Sequence, residues 1–293
     1  MMFELRLRIG PASFRLLSAW KAPIDELRVL YSPYPMAQLP DFAFPDFTVR
    51  LEPVSWMRKY IRPSVRIEAD FMLPDAAPLP INQALLAAEM GMNLQMALGW
   101  RRQLILHASA VEMGGRSIIM TGESGSGKST MAALLGHGAK WRFMGDEFTL
   151  MSLDSHENVA FPRLISLKNQ AIAQLQMAAP NGKFGPLMKD TPKGDICHLM
   201  PPIDAISRMD EPAIPALILF PSFGNAPEIR PMERAETFMR LTQASTNFVT
   251  LGEAGFDRLS MLVNDVPAFA IDYPDGETGM KMVEQLWQDV ADG

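Results

Sequence analysis

Cysteine is nearly absent from this 293-residue chain: Cys197 stands alone, which excludes an internal disulfide framework and any cysteine-rich zinc site. A reducing, cytosolic setting fits that usage best. A basic excess is missing as well. Lys plus Arg number 27 against 33 Asp plus Glu, a formal charge of −6, so the chain lacks the positive field of a dedicated nucleic-acid binder. Apolar runs free of polar groups are also missing. The most hydrophobic stretch, residues 81–100, carries Asn82, Gln83, Glu89, Asn93 and Gln95, which would be costly in lipid. It reads as a core helix, and no membrane partner is expected. At the start, Phe3, Leu5, Leu7 and Ile9 alternate with Glu4, Arg6 and Arg8, a half-buried strand rather than the apolar core of a signal peptide. Neither an internal repeat nor a low-complexity tract is visible.

What is present suffices for a large core. A chain of this length buries about three quarters of the surface its unfolded form exposes, and it leans toward two domains. The first hundred residues read as a small α+β unit. Ile24, Leu27 and Tyr31 recur at helical spacing, and Val65, Ile67, Ala69 and Phe71 alternate with charged residues as in a strand. Between them, prolines 33, 35, 40, 45 and 53 predict loops and edges, without a long helix or a central strand. Pro74, Pro78 and Pro80 mark the next break, and the long helix follows from Ile81. The 22 methionines are scattered and read as core gap-fillers.

The second part opens with LILHASAVEMGGRSIIMTG, two β-rich runs around Gly114-Gly115, a two-residue hairpin signal. The second run feeds GESGSGKST, and a helix that stops at a glycine follows. Beyond it the sequence predicts short strands around residues 142–150, a helix near 169–177 and a strand over 216–220. Helices near 233–243 and 256–263, a strand PAFAIDY and a C-terminal helix complete an α/β pattern.

Gly122, Glu123, Ser124, Gly125, Ser126, Gly127, Lys128 and Ser129 match the phosphate-loop pattern G-x-x-x-x-G-K-[ST] at every fixed position, with Thr130 next in the helix. Glycines let backbone amides approach phosphate oxygens, and the helix start points its dipole at the same anion. Lys128 supplies charge over the β- and γ-phosphates, and the Ser129 hydroxyl is placed for Mg²⁺. The predicted ligands are therefore a phosphoryl donor, read as ATP with GTP and pyrophosphate left open, and Mg²⁺. Asp146 comes 18 residues after Lys128, one helix and one strand on, and Glu147 follows it. Adjacent carboxylates there suit a division of labour between the metal and the proton of an attacking hydroxyl, with Ser129 and Asp146 as the metal side chains. Asp272 is a later decoy that reads as a strand end, and no LSGGQ-like stretch points to a transporter ATPase. Hairpin pairing can bring His107 beside the phosphate end, whereas His137 and His156 read as structural. No arginine finger is obvious. Lys168, just before a helix, and Lys193, in a turn ahead of His198, are candidates to neutralise the phosphoryl group or hold the acceptor, with Arg163 a weaker one.

A hairpin histidine, a phosphate loop and an acid pair in this order resemble the HPr kinase/phosphorylase superfamily. The wording of LILHASAVE, TGESGSGKST, FMGDEFTL, PRLISLKN, FGPLMKDTPKGDICHLMPP and LGEAGFDRL is similar to its HPr-kinase-related kinase A branch. LYSPYP, PDFTV and AEMGMNLQMALGW extend that likeness over most of the chain; likeness to HPr kinase proper covers only about residues 104–150. The resemblance implies a phosphate-loop core of the HPr kinase/PEP carboxykinase type over residues 99–293 and a smaller N-terminal α+β domain over 1–98. It implies that His107 lies near the phosphates, that Lys128 and Ser129 form the loop pair, and that Asp146 is the base toward an acceptor serine. Glu147 stands where the family has a second Asp, and the segment between loop and acids is one residue longer. The C-terminal HPr-kinase signature is not found, so neither HPr as acceptor nor phosphorylase activity is expected. By analogy with HPr kinases, a homo-oligomer is an expectation.

The leading expectation is an ATP- and Mg²⁺-dependent kinase acting on a hydroxyl, foremost a serine of a peptide or protein, with a small-molecule hydroxyl as the alternative. The N-terminal domain would serve acceptor recognition. A nucleotide-dependent regulatory module with little or no transfer is the rival class, favoured by the Asp-to-Glu departure. Carboxykinase-type chemistry is a third reading.

Overall fold

The computed structural model describes residues 2–36, 44–72 and 76–291, so the expected breaks at Pro40 and Pro74 lie outside the described residues. The chain is mixed α/β. Phe3–Ile9 and Ala12–Ser18 form an antiparallel hairpin, and the inward positions Leu5, Leu7 and Ile9 are buried as their alternation requires. Helix Lys21–Leu30 then crosses over, burying Ile24 and Leu27, and delivers the chain to strand Phe47–Pro53, which runs parallel to Ala12–Ser18.

That strand corrects the expectation from the prolines. It is paired on its other side with Ser64–Ala69 and lies in the middle of the five-stranded sheet. Pro45 precedes it and Pro53 is its last residue, so the prolines bracket the strand and residues 47–52 keep the N–H groups that a ladder needs. Helix Ala84–Gly99, entered through the short turn Ile81–Gln83, packs across Phe47–Pro53 and Ser64–Ala69. Gly91 lets it approach closely, since a Cβ there would meet Val49 at 2.5 Å. Its buried Gln95 bonds the backbone N–H and C=O of Phe71, at 2.9 and 2.8 Å.

The larger sheet has six strands, ordered Glu228–Pro231, Ala268–Tyr273, Ile214–Phe223, Arg116–Thr121, Ala108–Met113, Arg142–Gly145. The three neighbouring strands from Ala268–Tyr273 to Arg116–Thr121 are parallel; both ends are antiparallel. Met113 pairs Arg116 across Gly114 and Gly115, whose φ angles of +64° and +79° are those of a tight mirror-image hairpin turn. Helices Lys128–His137 and Gly276–Ala291 cover one face over Ile118, Met120 and Leu219. Arg234–Ala244 and Glu253–Asp265 cover the other over Ile119, Ile218 and Phe220. Both faces are buried, so these strands read as continuous apolar runs. Two three-stranded sheets complete the fold. One joins Gln103–Leu106, Thr149–Ser152 and Asn158–Val159; the other joins Ile165–Lys168, Gly194–Leu199 and Met188–Thr191.

Gly99 ends the long helix, but burial does not stop there. One buried cluster runs from Leu7, Phe14 and Ile24 through Leu85 and Met92 to Leu150, Phe161 and Ile196. No helix among the described residues is long and apolar enough to cross a membrane.

Candidate active site

The central strand Arg116–Thr121 runs into Gly122, and helix Lys128–His137 begins six residues later, so the glycine loop sits at the C-terminal end of an interior strand of the six-stranded sheet. Gly125 (φ +89°) has nothing within 4 Å of a would-be Cβ. Gly127 (φ +97°) is held for a second reason: a Cβ would meet the Tyr273 hydroxyl at 2.1 Å. The Tyr273 hydroxyl in turn donates to the Ser126 carbonyl at 3.4 Å. No side chain caps the helix, which leaves its first-turn amides without intrahelical partners.

Lys128 folds back over the loop and is only 7% exposed. Its Nζ donates to the carbonyls of Gly122 and Glu123, both at 2.8 Å. Burial pushes this ammonium below its usual range, while Asp146 and Glu147 pull it upward and Lys168 adds to the lowering. The loop lysine, the acid pair and Lys168 therefore share one electrostatic field. Asp146 closes strand Arg142–Gly145 and is 2% exposed. Its Oδ1 accepts a 2.6 Å bond from Ser109. Its buried Oδ2 has no hydrogen-bond partner among the described residues. Burial first, and Glu147 second, raise the Asp146 pKa; the hydroxyls of Ser109 and Ser129 and the Glu147 amide oppose the rise. Ser129 is thus near enough to favour the anion without forming a well-made bond to Oδ2.

His107 sits at a break between strands Gln103–Leu106 and Ala108–Met113, and its carbonyl accepts from Thr121 Oγ1 at 3.0 Å. Pairing of Ala108 with Thr121 sets it across from the start of the loop. Its Nε2 lies 3.5 Å from Glu147 Oε2, so the imidazole meets the second acid and not the first. Glu147 holds a φ of +67°, a left-handed conformation uncommon for a residue with a Cβ.

Asp146 and Glu147 also line a cavity of about 90 Å³, together with Lys168, Lys193, Arg163 and His198. Lys168 and Lys193, the two candidate phosphate or acceptor contacts, thus line the same cavity as the acids. Asp272, near the end of strand Ala268–Tyr273, is not part of this lining. Arg163 is 3% exposed and already committed: it pairs with Glu89 and bonds Asn93, both from the long helix. Glu89 also accepts from the Tyr31 hydroxyl at 2.8 Å, which ties the N-terminal helix into the same knot.

Among the described residues, no group of three or more His, Cys, Asp or Glu could hold a metal ion. A cation at this site would draw on the Ser129 hydroxyl, the free Asp146 oxygen and oxygens of a bound phosphate. That is the hard, partly hydrated donor set that Mg²⁺ takes.

Three participants were not legible in advance. Ser109 had a signal: it lies two residues after His107, so on one strand they share a face. Tyr273 and Glu89 had none, because their partners Gly127 and Arg163 are remote in sequence. No known family model matches the chain, and no curated protein matches it.

Proposed function

We propose that this chain is a phosphotransferase with a phosphate-loop core of the HPr-kinase type, moving the γ-phosphoryl group of ATP to a hydroxyl. The single observation that carries the reading is Asp146: a buried carboxylate with one oxygen tied to Ser109 and the other free, on a cavity wall within the electrostatic reach of Lys128. A base of raised pKa suits proton transfer near neutral pH better than an ordinary carboxylate. The acceptor oxygen bonds to the γ-phosphorus, the bond from that phosphorus to the β–γ bridging oxygen breaks, ADP leaves with the electron pair, and Asp146 takes the hydroxyl proton. Lys128 and the first-turn amides hold the phosphates. A carboxylate offers about four lone-pair sites, so Asp146 can also join the Ser129 hydroxyl as a ligand to Mg²⁺. That cation supplies neutralisation of phosphate charge when bound. His107 positions Glu147, the neighbour that raises the Asp146 pKa. A serine of a peptide or protein is the leading acceptor.

The second reading, a nucleotide-dependent regulatory module, is favoured by Glu147 where the resembling family has Asp and by its turn toward His107. Incubating the full chain with γ-labelled ATP, Mg²⁺ and lysate of its source separates the two. Label in an acceptor supports the kinase, and its loss with Asp146→Asn at retained ATP affinity supports the base. Free phosphate alone, or no turnover, supports the module.

A further inference from the structure

We infer that the cavity beside Asp146 is an acceptor site built for a hydroxyl with an anionic group close beside it, the hydroxyl end entering the cavity. The inference rests on the phosphotransferase reading for the direction of transfer, but the cavity's own chemistry selects the ligand.

Other residues lining the cavity carry polar groups that nothing among the described residues satisfies. Arg163 Nε is buried without a partner, although the rest of its guanidinium serves Glu89 and Asn93. Nε–H can only donate, so it calls for an acceptor oxygen. His198 is 1% exposed, and its Nδ1 is likewise buried and unpartnered. Burial lowers the His198 pKa, so this ring adds no charge of its own at neutral pH. Among the described residues, neither Lys168 nor Lys193 has an ion-pair partner. Of the cavity's carboxylates, Glu89 is spent on Arg163 and Glu147 faces His107, which leaves Asp146 Oδ2 as the free acceptor.

An unsatisfied buried polar group is costly, so this inventory describes its complement. The complement has one hydroxyl to donate to Asp146 and a carboxylate or phosphate to accept from Arg163 Nε and the two lysines. Leu86, Met90, Leu164 and Ile196 leave room between them for only a few carbons. For scale, an apolar cavity of roughly 150 Å³ admits benzene, so about 90 Å³ takes a smaller body. The backbone agrees that the wall is specialised. Four non-glycine residues among those described have positive φ, and three of them flank or line the cavity: Glu147, Asn169 beside Lys168, and Asp190 beside Thr191. Such conformations persist where the surrounding structure holds a site in shape.

The ligand chemistry has two sources, a free hydroxy acid or a serine with acidic neighbours at a peptide's surface. The test uses the full chain with γ-labelled ATP and Mg²⁺ and four probes. They are D-glycerate against glycerol, and acetyl-Asp-Ser-Asp-amide against acetyl-Ala-Ser-Ala-amide. One acidic probe is expected to exceed its neutral counterpart at least tenfold in kcat/KM, and the pair that does so identifies the source. Lys193→Gln is expected to raise the KM of that probe about tenfold, roughly the worth of one lost charge-assisted bond, and Lys193→Arg to restore most of it. Lys193 is exposed in a turn, so both variants fold. Calorimetry of the same probes, with a non-hydrolysable ATP analogue present, separates the two claims. Saturable binding of an acidic probe that weakens in Lys193→Gln, without label transfer, upholds the acceptor site and overturns the phosphotransferase reading. Equal labelling of acidic and neutral probes overturns the site and leaves the kinase standing. Failure of both acidic probes to bind or to be labelled overturns the site.

Discussion

Replacing Asp146 by Asn should abolish transfer and at the same time make the protein more stable. The carboxylate is 2% exposed, adjoins Glu147 and leaves Oδ2 without a partner. Asn keeps an oxygen for the Ser109 hydroxyl and exchanges the charged Oδ2 for a neutral amide, whose burial costs less than a charge's. A buried, unsatisfied charged oxygen costs about 1–3 kcal/mol or more, which sets the expected gain at neutral pH. In a chain of this size each kcal/mol moves Tm by about 2–4 °C, so the variant should melt roughly 2–12 °C higher at pH 8. The sign can be checked by titration. Folding raises this carboxyl above the ordinary 3.8, so its contribution to stability is fully present below that value and is lost as pH rises through the raised one. The advantage of Asp146→Asn should therefore be small near pH 4, grow as pH rises through the raised value and then stay level. Thermal and urea melts of both proteins from pH 4.5 to 8 measure it. A variant less stable than wild type at pH 8, or a difference that ignores pH, would refute the claim that Asp146 is held ionised against its surroundings.

Gly127→Ala should eliminate ATP binding and cost several kcal/mol, because it combines a left-handed φ with a Cβ 2.1 Å from the Tyr273 hydroxyl; Gly114→Ala, equally left-handed but with open space around it, should cost about 1 kcal/mol and leave binding intact. Calorimetric ATP titration and melts of the two variants check this. Glu89→Gln should destabilise by about 3–5 kcal/mol in urea melts by stranding buried Arg163, and Glu89→Leu combined with Arg163→Met should recover much of that loss. Cys197 is buried and its thiol is pushed up by that burial, so the folded protein should resist thiol reagents and react at once in denaturant.

Local rules made most elements readable. The alternation of Phe3–Ile9, the Gly114-Gly115 turn and the helix after Lys128 depend on neighbours a few residues away, and they stand where the sequence put them. The proline-rich segment misled because a proline count does not say whether the rings fall inside a strand or at its ends. The three-stranded sheet of Ile165–Lys168, Gly194–Leu199 and Met188–Thr191 went unread for another reason. Met188–Thr191 pairs irregularly and exposes Lys189 and Asp190, so it carries no clean alternation.

By itself the sequence determined the loop's backbone conformation and charge. Glycines at Gly125 and Gly127, a lysine and a serine at fixed spacing can be read because the backbone conformation and the charge they provide are properties of those residues. It also set what lies between Lys128 and Asp146, one helix and one strand. Only the tertiary structure decided which oxygen of Asp146 is free, that His107 meets Glu147, and that Arg163 is bound to Glu89 across 74 residues of chain. Those outcomes depend on which groups lose water together, and burial is a property of the packed chain that no local stretch carries.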